Sequence, residues 1–417
     1  MIDVLIIGAG AAGMMAALYA RRAGADQVTL LERNSRLGLK IGITGKGRCN
    51  LTNDCTVQEL VDNVPVNGRF LYSAFSHMDS QKTMALFEEL GLPLKVERGR
   101  RVFPANDRAT ELAYTLRTAV VKAGVRVRIE ARVDWLRQLP GGGFEVLGHG
   151  MTITARNVIV ATGGLSYPVT GSTGDGYRLA KTLGHSIVKT RPALVPLESP
   201  EPWVKALQGL SLKNVTLTSP AGCELGEMLF THFGISGPLV LTASGHIVDL
   251  LSKGPVVLYI DLKPGLSEEQ LDARLLRDFA DAPRKQFANG LDKLLPSRLI
   301  DAMVGLCGIP ADKQVSHITR EERLALVGLL KALPIKVTAP RPVEEAIVTA
   351  GGISVKEIDP RTMESKLVPG LYFAGEVLDV SGYTGGYNLQ IAWSTGAVAG
   401  TAAAARSMMK ETDGEAL

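Results

Sequence analysis

The beginning of the chain alternates between two short apolar runs and a longer helical pattern. Val4–Ile7 is apolar throughout, and Val28–Leu31 is a second apolar run of strand length. Between them a glycine-rich turn leads into an alanine-rich segment that ends near Gly24. This order predicts a strand, a tight turn, a helix and a second strand, with the acidic Glu32 directly after it.

The apolar pattern beyond this point predicts a mixed α/β chain. Residues 33–53 have neither helical nor strand periodicity and are predicted to form a loop, whereas residues 55–95 have helical spacing. Asp107 is predicted to cap a helix that reaches Lys122. Further runs predict strands at Val125–Ile129, Phe144–Leu147, Met151–Ile153, Asn157–Gly164, Val343–Ala350 and Leu371–Phe373, and a helix at Ala392–Ala405.

The middle of the chain changes character near Arg191. From there to residue 262, short β-like runs stand among Pro and Gly residues, at Val215–Leu217, Leu239–Leu241 and Val256–Ile260. Residues 265–332 then have a helical pattern. Capping-box pairs mark two helix starts, Ser267 with Gln270 and Thr319 with Glu322.

The overall composition is that of a folded globular protein. Hydrophobic residues make up 46% of the 417 residues, and the formal net charge of +4 is too balanced to predict nucleic-acid binding by itself. The four cysteines form no CxxC pair, so we expect neither a metal site nor a disulfide framework. The first strand begins at Val4 and no apolar run is long enough for a membrane span. We therefore expect no signal peptide and a cytoplasmic location.

The glycine turn has the spacing of a dinucleotide-binding fingerprint. Gly8 permits the tight turn, Gly10 lets a pyrophosphate approach the backbone, and Gly13 lets the helix pack closely on the strand. The free N–H groups of the helix N-terminus favour phosphates. Glu32 lies roughly 20 residues beyond the glycines, where a carboxylate can accept hydrogen bonds from ribose hydroxyls. The fingerprint alone leaves NAD and FAD open.

A second motif near the C-terminus favours FAD. Glu376 follows a predicted strand, Asp379 comes shortly after it, and a helix of small residues begins near Leu389. The acidic side chains can hold ribityl hydroxyls, and the helix N-terminus can direct N–H groups at the flavin O2. Because an NAD-only dehydrogenase has no need for this second site, we expect FAD as the bound cofactor.

Long stretches of the sequence resemble the BaiN/YhiN-type bacterial flavoproteins, a family of NAD(P)/FAD-dependent oxidoreductases with aminoacetone oxidase-like members. The motifs that carry the resemblance are GAGAAGMMAA, TGKGRCNLTN, RVFP, ATGGLSYPVTGSTGDGY, THFGISGP and FAGEVLDVSGYTGGYNLQIAWSTG. The resemblance covers nearly the whole chain and implies tightly but non-covalently bound FAD. The FAD contacts that it implies are Gly8, Gly10, Ala12, Gly13, Glu32, Arg33, Lys40, Gly47, Arg48, Cys49, Asn50, Val133, Thr162, Gly163, Gly375, Glu376, Asp379, Gly386, Asn388 and Leu389.

Both the pattern and the resemblance lead to one domain organisation. The predicted fold class is α/β, with a Rossmann-like FAD-binding domain formed by residues 1–190 and 343–417. Between these parts we expect a β-rich domain at 191–262, barrel-like by resemblance, and a small helical insert at 263–332. Residues 333–342 are expected to return through the β-rich domain.

The activities within this family differ, so the resemblance implies the cofactor better than the substrate. We expect NAD(P)H, bound transiently, to drive reduction of an activated C=C bond in an oxo-bile-acid-like steroid or in a uridine of ribosomal RNA. One alternative is an aminoacetone or amine oxidase that passes electrons to O2. Another is a flavin-dependent sensor or RNA-associated protein without enzymatic activity. Its basic surface would comprise Arg98, Arg100, Arg101, Lys331, Lys336 and Arg341.

Reduction of an activated C=C bond needs a proton donor in addition to hydride. The candidates are Cys49, whose pKa Lys46 and Arg48 would lower, Tyr167 after the ATGG turn, and His232 at an expected domain junction. Each also has a structural interpretation: a small residue fitted against the flavin, an aromatic packed at a domain interface, and a turn histidine. The spacing of Cys49 and Cys55, and the absence of a second GxGxxG, argue against a disulfide reductase.

Overall fold

The computed structural model describes residues 1–148, 150–220 and 222–412, and the chain divides into two compact units. The first unit joins residues 1–193 to the C-terminal part that begins at Val343, and the second spans residues 194–342. A Rossmann-like domain formed by both chain ends is therefore confirmed. The further division of residues 191–342 into a β-rich and a helical domain stays a prediction, and residues 413–417 of the predicted last segment lie outside the described residues.

The N-terminal part of the first unit alternates strands and helices. Its strands are β1 (Ile2–Ile7), β2 (Val28–Leu31), β3 (Thr52–Asn53), β4 (Leu94–Glu97), β5 (Arg101–Pro104), β6 (Arg126–Arg128), β7 (Trp135–Gln138), β8 (Phe144–Gly148), β9 (Met151–Val160) and β10 (Ile187–Ala193). Its helices are α1 (Ala11–Arg22), α2 (Leu39–Ile43), α3 (Val57–Asp62), α4 (Tyr72–His77), α5 (Ser80–Glu89), α6 (Ala109–Lys122) and α7 (Asp175–Thr182).

The second unit and the C-terminal return complete the described chain. The strands of the second unit are β11 (Leu197–Glu198), β12 (Ser211–Ser219), β13 (Gly222–Phe230), β14 (Gly234–Ser236), β15 (Val256–Asp261), β16 (Leu333–Val337) and β17 (Ala339–Pro340). Its helices are α8 (Pro202–Ala206), α9 (Pro238–Leu251), α10 (Glu268–Ala280), α11 (Phe287–Gly290), α12 (Ser297–Cys307) and α13 (Arg320–Lys331). The return to the first unit supplies β18 (Val348–Ile353), β19 (Leu371–Phe373) and α14 (Tyr387–Thr412).

The main sheet of the first unit has a parallel centre. β1 pairs with β2 on one side and β9 on the other, β6 pairs with β2, and β19 pairs with β9, all in parallel. β8 and β7 extend the sheet with antiparallel pairs. Val4, Leu5 and Ile6 are fully buried, as expected for a strand covered on both faces. Because the central strands are parallel, their carboxyl ends share one edge, where ligands bind in such sheets.

The first and last long helices, α1 and α14, pack at close range through small residues. A Cβ at Gly396 would lie 2.4 Å from the carbonyl oxygen of Ala12, and a Cβ at Gly400 would lie 2.2 Å from that of Ala16. Real Cβ atoms do not approach a carbonyl oxygen so closely, so glycine is required at both positions. This contact fixes the C-terminal helix against the helix of the glycine turn.

The second unit contains an open sheet with the strand order β16-β15-β12-β13-β14-β11-β17. No hydrogen-bonded strand pair closes it into a barrel within the part of the chain that the structure describes. The sheet and the helices share one apolar core, which includes Leu258, Leu271 and Leu326. The capping boxes predicted at Ser267 and Thr319 are confirmed.

Several local predictions are wrong in detail. Leu239–Leu241 was predicted as β-like but begins α9, because Pro238 occupies the first helical position and apolar residues recur at helical spacing. Residues 33–53 contain α2 and a 3₁₀ turn instead of only a loop. Asp107 does not cap α6, which has Arg108 at its N-cap, because the Asp107 carboxylate binds Arg48 and Lys95.

Among residues 1–148, 150–220 and 222–412, no helix has both the length and the apolar character needed to cross a bilayer.

Candidate functional site

The turn between β1 and α1 leaves open space at one of its three glycines. Gly8 has a φ of +100°, and its Cβ would lie 2.6 Å from the carbonyl oxygen of Ala161. A Cβ at Gly13 would lie 1.8 Å from the Gly8 oxygen. A Cβ at Gly10, in contrast, would meet no atom within 4 Å. Packing therefore requires Gly8 and Gly13, whereas Gly10 borders free space at the N-terminus of α1.

Glu32 reaches back from the end of β2 to this turn. Its carboxylate accepts hydrogen bonds from the backbone N–H of Ala9 and of Asn34, each at 2.9 Å. Burial raises the pKa of Glu32 above its usual value, while the two backbone donors oppose that shift. The structure thus holds a buried carboxyl group beside the glycine turn.

Arg33 and Val133 lie near Glu32 and the start of α7. The Arg33 guanidinium donates to Asp175 Oδ2 at 2.9 Å and also binds the Thr173 hydroxyl. The Val133 carbonyl accepts from Arg178 Nη2 at 3.3 Å. Two arginines therefore cross-link the segments around Glu32 to α7.

A polar cluster joins four separate segments of the first unit. Lys40 Nζ lies 2.6 Å from both Glu376 Oε2 and Ser166 Oγ. Glu376 Oε1 accepts from Ser166 Oγ and from the backbone N–H of Thr349, each at 2.8 Å. Only about a fifth of each charged side chain is exposed, 21% for Lys40 and 19% for Glu376. The cluster connects α2, β18 and the segments that follow β9 and β19.

The basic segment at residues 44–53 contains tight turns, and its arginine is paired with carboxylates. Gly47 and Cys49 have positive φ angles, +86° and +58°, and a Cβ at Gly47 would meet no atom within 4 Å. The Arg48 guanidinium binds Asp107 at 2.6 Å and Glu97 at 2.5 Å, so its charge is neutralised within the protein. Asn50 Oδ1 is buried and has no hydrogen-bond partner among the described residues.

The segment after β9 presents a similar unpaired group. Thr162 Oγ1 is buried without a hydrogen bond to any described atom. Gly163 has a φ of +74°, and its Cβ would lie 2.7 Å from Ser172 Oγ. Gly375, at the end of β19, has a φ of +78°, and its Cβ would lie 2.8 Å from the Ala12 Cβ. Both glycines therefore allow close backbone approach at the carboxyl edge of the sheet.

Side-chain amides and close backbone packing hold the segment that leads into α14. Asp379 is 8% exposed and accepts from Asn67 Nδ2 at 3.0 Å, and burial raises its pKa. A Cβ at Gly386 would lie 2.5 Å from the Thr52 carbonyl carbon. The Asn388 amide binds the backbone N–H and carbonyl of Gly382. Asn388 thus fixes its own turn, and Leu389 follows it as a partly buried residue of α14.

Comparison with known proteins gives a match over most of the chain. Residues 2–402 match the family described as "HI0933-like protein Rossmann domain". The chain belongs to this family. It is 33% identical over 410 residues to the 3-dehydro-bile acid delta(4,6)-reductase of Clostridium scindens, covering 96% of this chain and 98% of that protein. It is 34% identical over 398 residues to the ribosomal RNA dihydrouridine synthase of Escherichia coli, covering 94% of this chain and 96% of that protein.

Solved structures give the same fold for the HI0933-like chain. A 3-ketosteroid delta1-dehydrogenase from Sterolibacterium denitrificans aligns with a TM-score of 0.54 and 13% identity, covering 97% of this chain and 99% of that one. At this identity the likeness extends to the fold alone. Membership of the HI0933-like family makes the chain a Rossmann-fold oxidoreductase of the flavin-dependent class.

The residues at the sheet edge fit the FAD that this HI0933-like fold implies. Gly10 and Gly47 each face space that a Cβ would enter without meeting protein atoms. Asn50 and Thr162 each bury a polar oxygen that has no partner within residues 1–148, 150–220 and 222–412. Buried polar groups in native proteins are usually hydrogen-bonded, and a bound ligand is one partner that would satisfy these two. FAD carries phosphates, hydroxyls and a ring N–H group that suit the open glycines and the two unpaired oxygens. The individual FAD contacts stay predictions.

Cys49 differs from the reactive thiol that its sequence neighbours indicate. The side chain is fully buried, and burial raises the pKa of its thiol to about 12. The prediction that Lys46 and Arg48 lower this pKa is therefore wrong, because Arg48 is paired with carboxylates. Cys49 and Cys55 are both free thiols. A role for Cys49 as a small residue against the cofactor suits this environment better than proton transfer.

We expect Cys49 to resist alkylation. Since the thiolate is the reactive form and the pKa lies near 12, iodoacetamide at about pH 8 should modify the exposed Cys223 and leave Cys49 unmodified. The thiolate fraction, and so the labelling of Cys49, should rise only as the pH approaches 12. Peptide mass spectrometry would measure both sites in one sample. Labelling of Cys49 as fast as Cys223 at about pH 8 would contradict the buried, protonated thiol.

The other two catalytic candidates lie in different units. Tyr167 is half-buried in the first unit with a φ of +54°, a conformation that costs an L-residue about 1–2 kcal/mol. Its backbone N–H donates to the Glu344 carbonyl at 3.2 Å. His232 belongs to the second unit, where it is exposed and its ring lies 5.0 Å from that of Phe233. The catalytic roles of Tyr167 and His232 remain predictions. Strained backbone conformations such as that of Tyr167 cluster at functional sites.

Sequence reasoning missed three polar residues of this region. Ser166 and Thr349 complete the cluster around Glu376, and Tyr177 places a buried hydroxyl near the same carboxylate. Ser166 and Tyr177 lie inside the quoted motif ATGGLSYPVTGSTGDGY, so that motif was the available signal. Thr349 lies in a strand pattern that gave no indication of a site. No group of three or more potential metal ligands occurs within the described residues.

Proposed function

We propose that this protein is an FAD-dependent reductase that adds two hydrogens across a C=C bond conjugated to a carbonyl group, with NAD(P)H as electron donor. The observation that carries the proposal is the near full-length similarity to two reductive enzymes at 33% and 34% identity. One is named a delta(4,6)-reductase and the other a dihydrouridine synthase, and both names describe saturation of a ring double bond. Bound FAD would supply the hydride chemistry.

In this proposal the chain contributes binding, orientation and the proton. The N-terminus of α1 with Gly10 would hold the pyrophosphate, and Glu32 would hold the adenosine ribose. The N-terminus of α14 would direct backbone N–H groups at the flavin O2. The Lys40–Glu376 cluster would keep the surrounding segments in register, because it joins α2 to the segment after β19.

Tyr167 is the proton donor that we favour. A phenol hydroxyl can act as a general acid, donating its proton to a carbon centre directly or through water. Its half-buried side chain follows the ATGG turn, at the carboxyl end of β9 where ligands bind. Cys49 is less suited, since burial raises the pKa of its thiol to about 12 and the hydrogen bond with the Thr44 side chain offsets only part of that shift.

The substrate class is proposed from chemistry that the two relatives' substrates share. A dehydro-bile acid and a uridine each carry a C=C bond activated by a conjugated carbonyl. An RNA substrate would also need a basic surface. Of the six cations suggested for it, Arg100, Lys331 and Arg341 are paired with acidic side chains, at 2.8, 2.6 and 2.8 Å. This pairing favours a small-molecule enone over an RNA.

The decisive experiment is anaerobic stopped-flow reduction. The flavin spectrum of the purified protein is recorded, and the enzyme is reduced with NADH or NADPH. The reduced enzyme is then mixed separately with O2, a conjugated enone steroid and a uridine-containing ribosomal RNA fragment. We expect reduction by a nicotinamide and rapid reoxidation by the enone, with slow reaction toward O2.

Other outcomes would replace the proposal. Failure of both nicotinamides to reduce the flavin, together with flavin reduction by an amine or aminoketone and fast reoxidation by O2, would indicate an amine or aminoketone oxidase. Rapid reoxidation by the RNA fragment would retain the reductase and change its substrate. RNA binding with a steep salt dependence but no redox reaction would indicate a non-enzymatic RNA-associated protein.

A further inference from the structure

Tyr177 is held in place by a tight contact at the start of α7. Gly174 precedes α7 with a φ of +80°. Gly176 lies so close to the end of β9 that a Cβ would be 2.2 Å from Thr162 Oγ1 and 2.8 Å from Val377 Cγ2. Tyr177 follows directly and is 9% exposed. The start of α7 is therefore packed against the segments that carry Thr162 and Glu376.

The Tyr177 hydroxyl is buried but makes no hydrogen bond within the part of the chain that the structure describes. Burial, together with the negative charges of Glu376 and Asp379, raises the pKa of Tyr177. The hydroxyl therefore remains protonated and is a hydrogen-bond donor. A buried donor without an acceptor carries the full cost of its lost hydration. The native protein is thus expected to supply an acceptor from outside the chain.

The surrounding polar groups indicate what that acceptor is. The Glu376 carboxylate already accepts from Lys40 and Ser166, and the Asp379 carboxylate accepts from Asn67. Thr162 Oγ1, on the segment that touches Gly176, is a second buried hydroxyl without a described partner. Two unpaired hydroxyls beside two fixed carboxylates suit a ligand that carries several oxygens, each able to accept or donate a hydrogen bond.

We propose that the Tyr177 hydroxyl donates a hydrogen bond to the ribityl-diphosphate linker of bound FAD. This assignment rests on the proposed FAD-dependent function. The linker is favoured over the flavin ring because it is rich in acceptor oxygens, and because Glu376 and Asp379 are the residues expected at the ribityl hydroxyls. Tyr177 then acts as a cofactor-binding residue whose donor is unpaired until FAD is present.

The test is Tyr177→Phe, which removes only the hydroxyl. Apoprotein is titrated with FAD, and quenching of flavin fluorescence gives the Kd. We expect the Kd to rise about five- to tenfold, the effect of losing one hydrogen bond. In urea unfolding, the variant apoprotein should be at least as stable as the wild type, because the substitution removes an unpaired buried hydroxyl.

A matched control is Tyr372→Phe, since Tyr372 is 1% exposed and lies on β19. It should leave the FAD Kd unchanged. Thr162→Val should weaken FAD binding as Tyr177→Phe does. Wild-type FAD affinity in Tyr177→Phe would overturn this inference but not the proposed function. Weaker FAD binding together with an equally destabilised apoprotein would also overturn it, because that result would indicate a structural role for the hydroxyl. A wild-type protein that binds no FAD would overturn both the inference and the proposed function.

Discussion

A Gly10→Val variant is expected to fold and to lose FAD. Gly10 has a φ of −77° and a ψ of −165°, which valine adopts readily, and a Cβ there meets no protein atom within 4 Å. The cost to folding should be about 1 kcal/mol, that of a poor N-cap residue. The branched side chain would occupy the space proposed for the pyrophosphate. Because several charge-assisted bonds would be lost together, the Kd for FAD should rise at least about 100-fold.

Gly13→Val is the matched control for this prediction. Its Cβ would lie 1.8 Å from the Gly8 carbonyl oxygen, so β1 and α1 would have to separate. We expect a loss of unfolding free energy above roughly 4 kcal/mol, which few single substitutions reach. Urea unfolding and the ratio of FAD to protein in the purified variants separate the two effects. Full FAD occupancy in Gly10→Val would show that the open space does not hold the cofactor.

The contrast between these glycines also shows what the sequence predicts well. In the segment from Val4 to Glu32, the two strands, the turn and the helix are each specified by residues close to one another in sequence. The fingerprint therefore predicted β1, α1, β2 and the role of each glycine. In the structure, the clash distances give the packing roles of Gly8 and Gly13 a physical basis, whereas the pyrophosphate contact at the open position of Gly10 stays a prediction.

Predictions that depend on distant partners were less accurate. Asp107 has the composition of an N-cap, but Arg48 and Lys95 compete for its carboxylate from other segments. Cys49 has cations beside it in sequence, yet its burial raises its pKa and Arg48 is paired elsewhere. Leu239–Leu241 is a short apolar run, which does not distinguish strand from helix by itself. In each case tertiary contacts decided the outcome.

The Lys40–Glu376 cluster is another long-range feature of the candidate site, since its residues are far apart in sequence. Glu376→Gln should lower the unfolding free energy by about 2–3 kcal/mol, because the new amide group would place a donor against the Lys40 ammonium now 2.6 Å from Glu376 Oε2. This figure lies below that of a fully buried pair, since a fifth of each side chain is exposed. The Kd for FAD should also rise, because α2 and the segment after β19 would no longer be held together.

A double-mutant cycle with Lys40→Met separates the pair from its surroundings. Lys40→Met leaves Glu376 with its bonds from Ser166 and Thr349, so a smaller loss of about 1–2 kcal/mol is expected. The double variant should lose less unfolding free energy than the two single variants lose in sum, and the difference is a coupling energy of about 1–3 kcal/mol. Urea unfolding of the apoproteins measures the cycle, and FAD titration measures the effect on the site.

The Lys313–Glu322 pair of the second unit is the control for an ordinary ion pair. Its separation is also 2.6 Å and its side chains are 25% and 29% exposed, but its two residues are only nine positions apart, with Lys313 in a bend and Glu322 in the first turn of α13. Lys313→Met should cost less than about 1 kcal/mol and leave FAD binding unchanged. If Lys40→Met and Glu376→Gln behave like Lys313→Met, the cluster is an ordinary surface pair. If they weaken FAD binding and are coupled, it joins the separate segments of the sheet edge into one cofactor site.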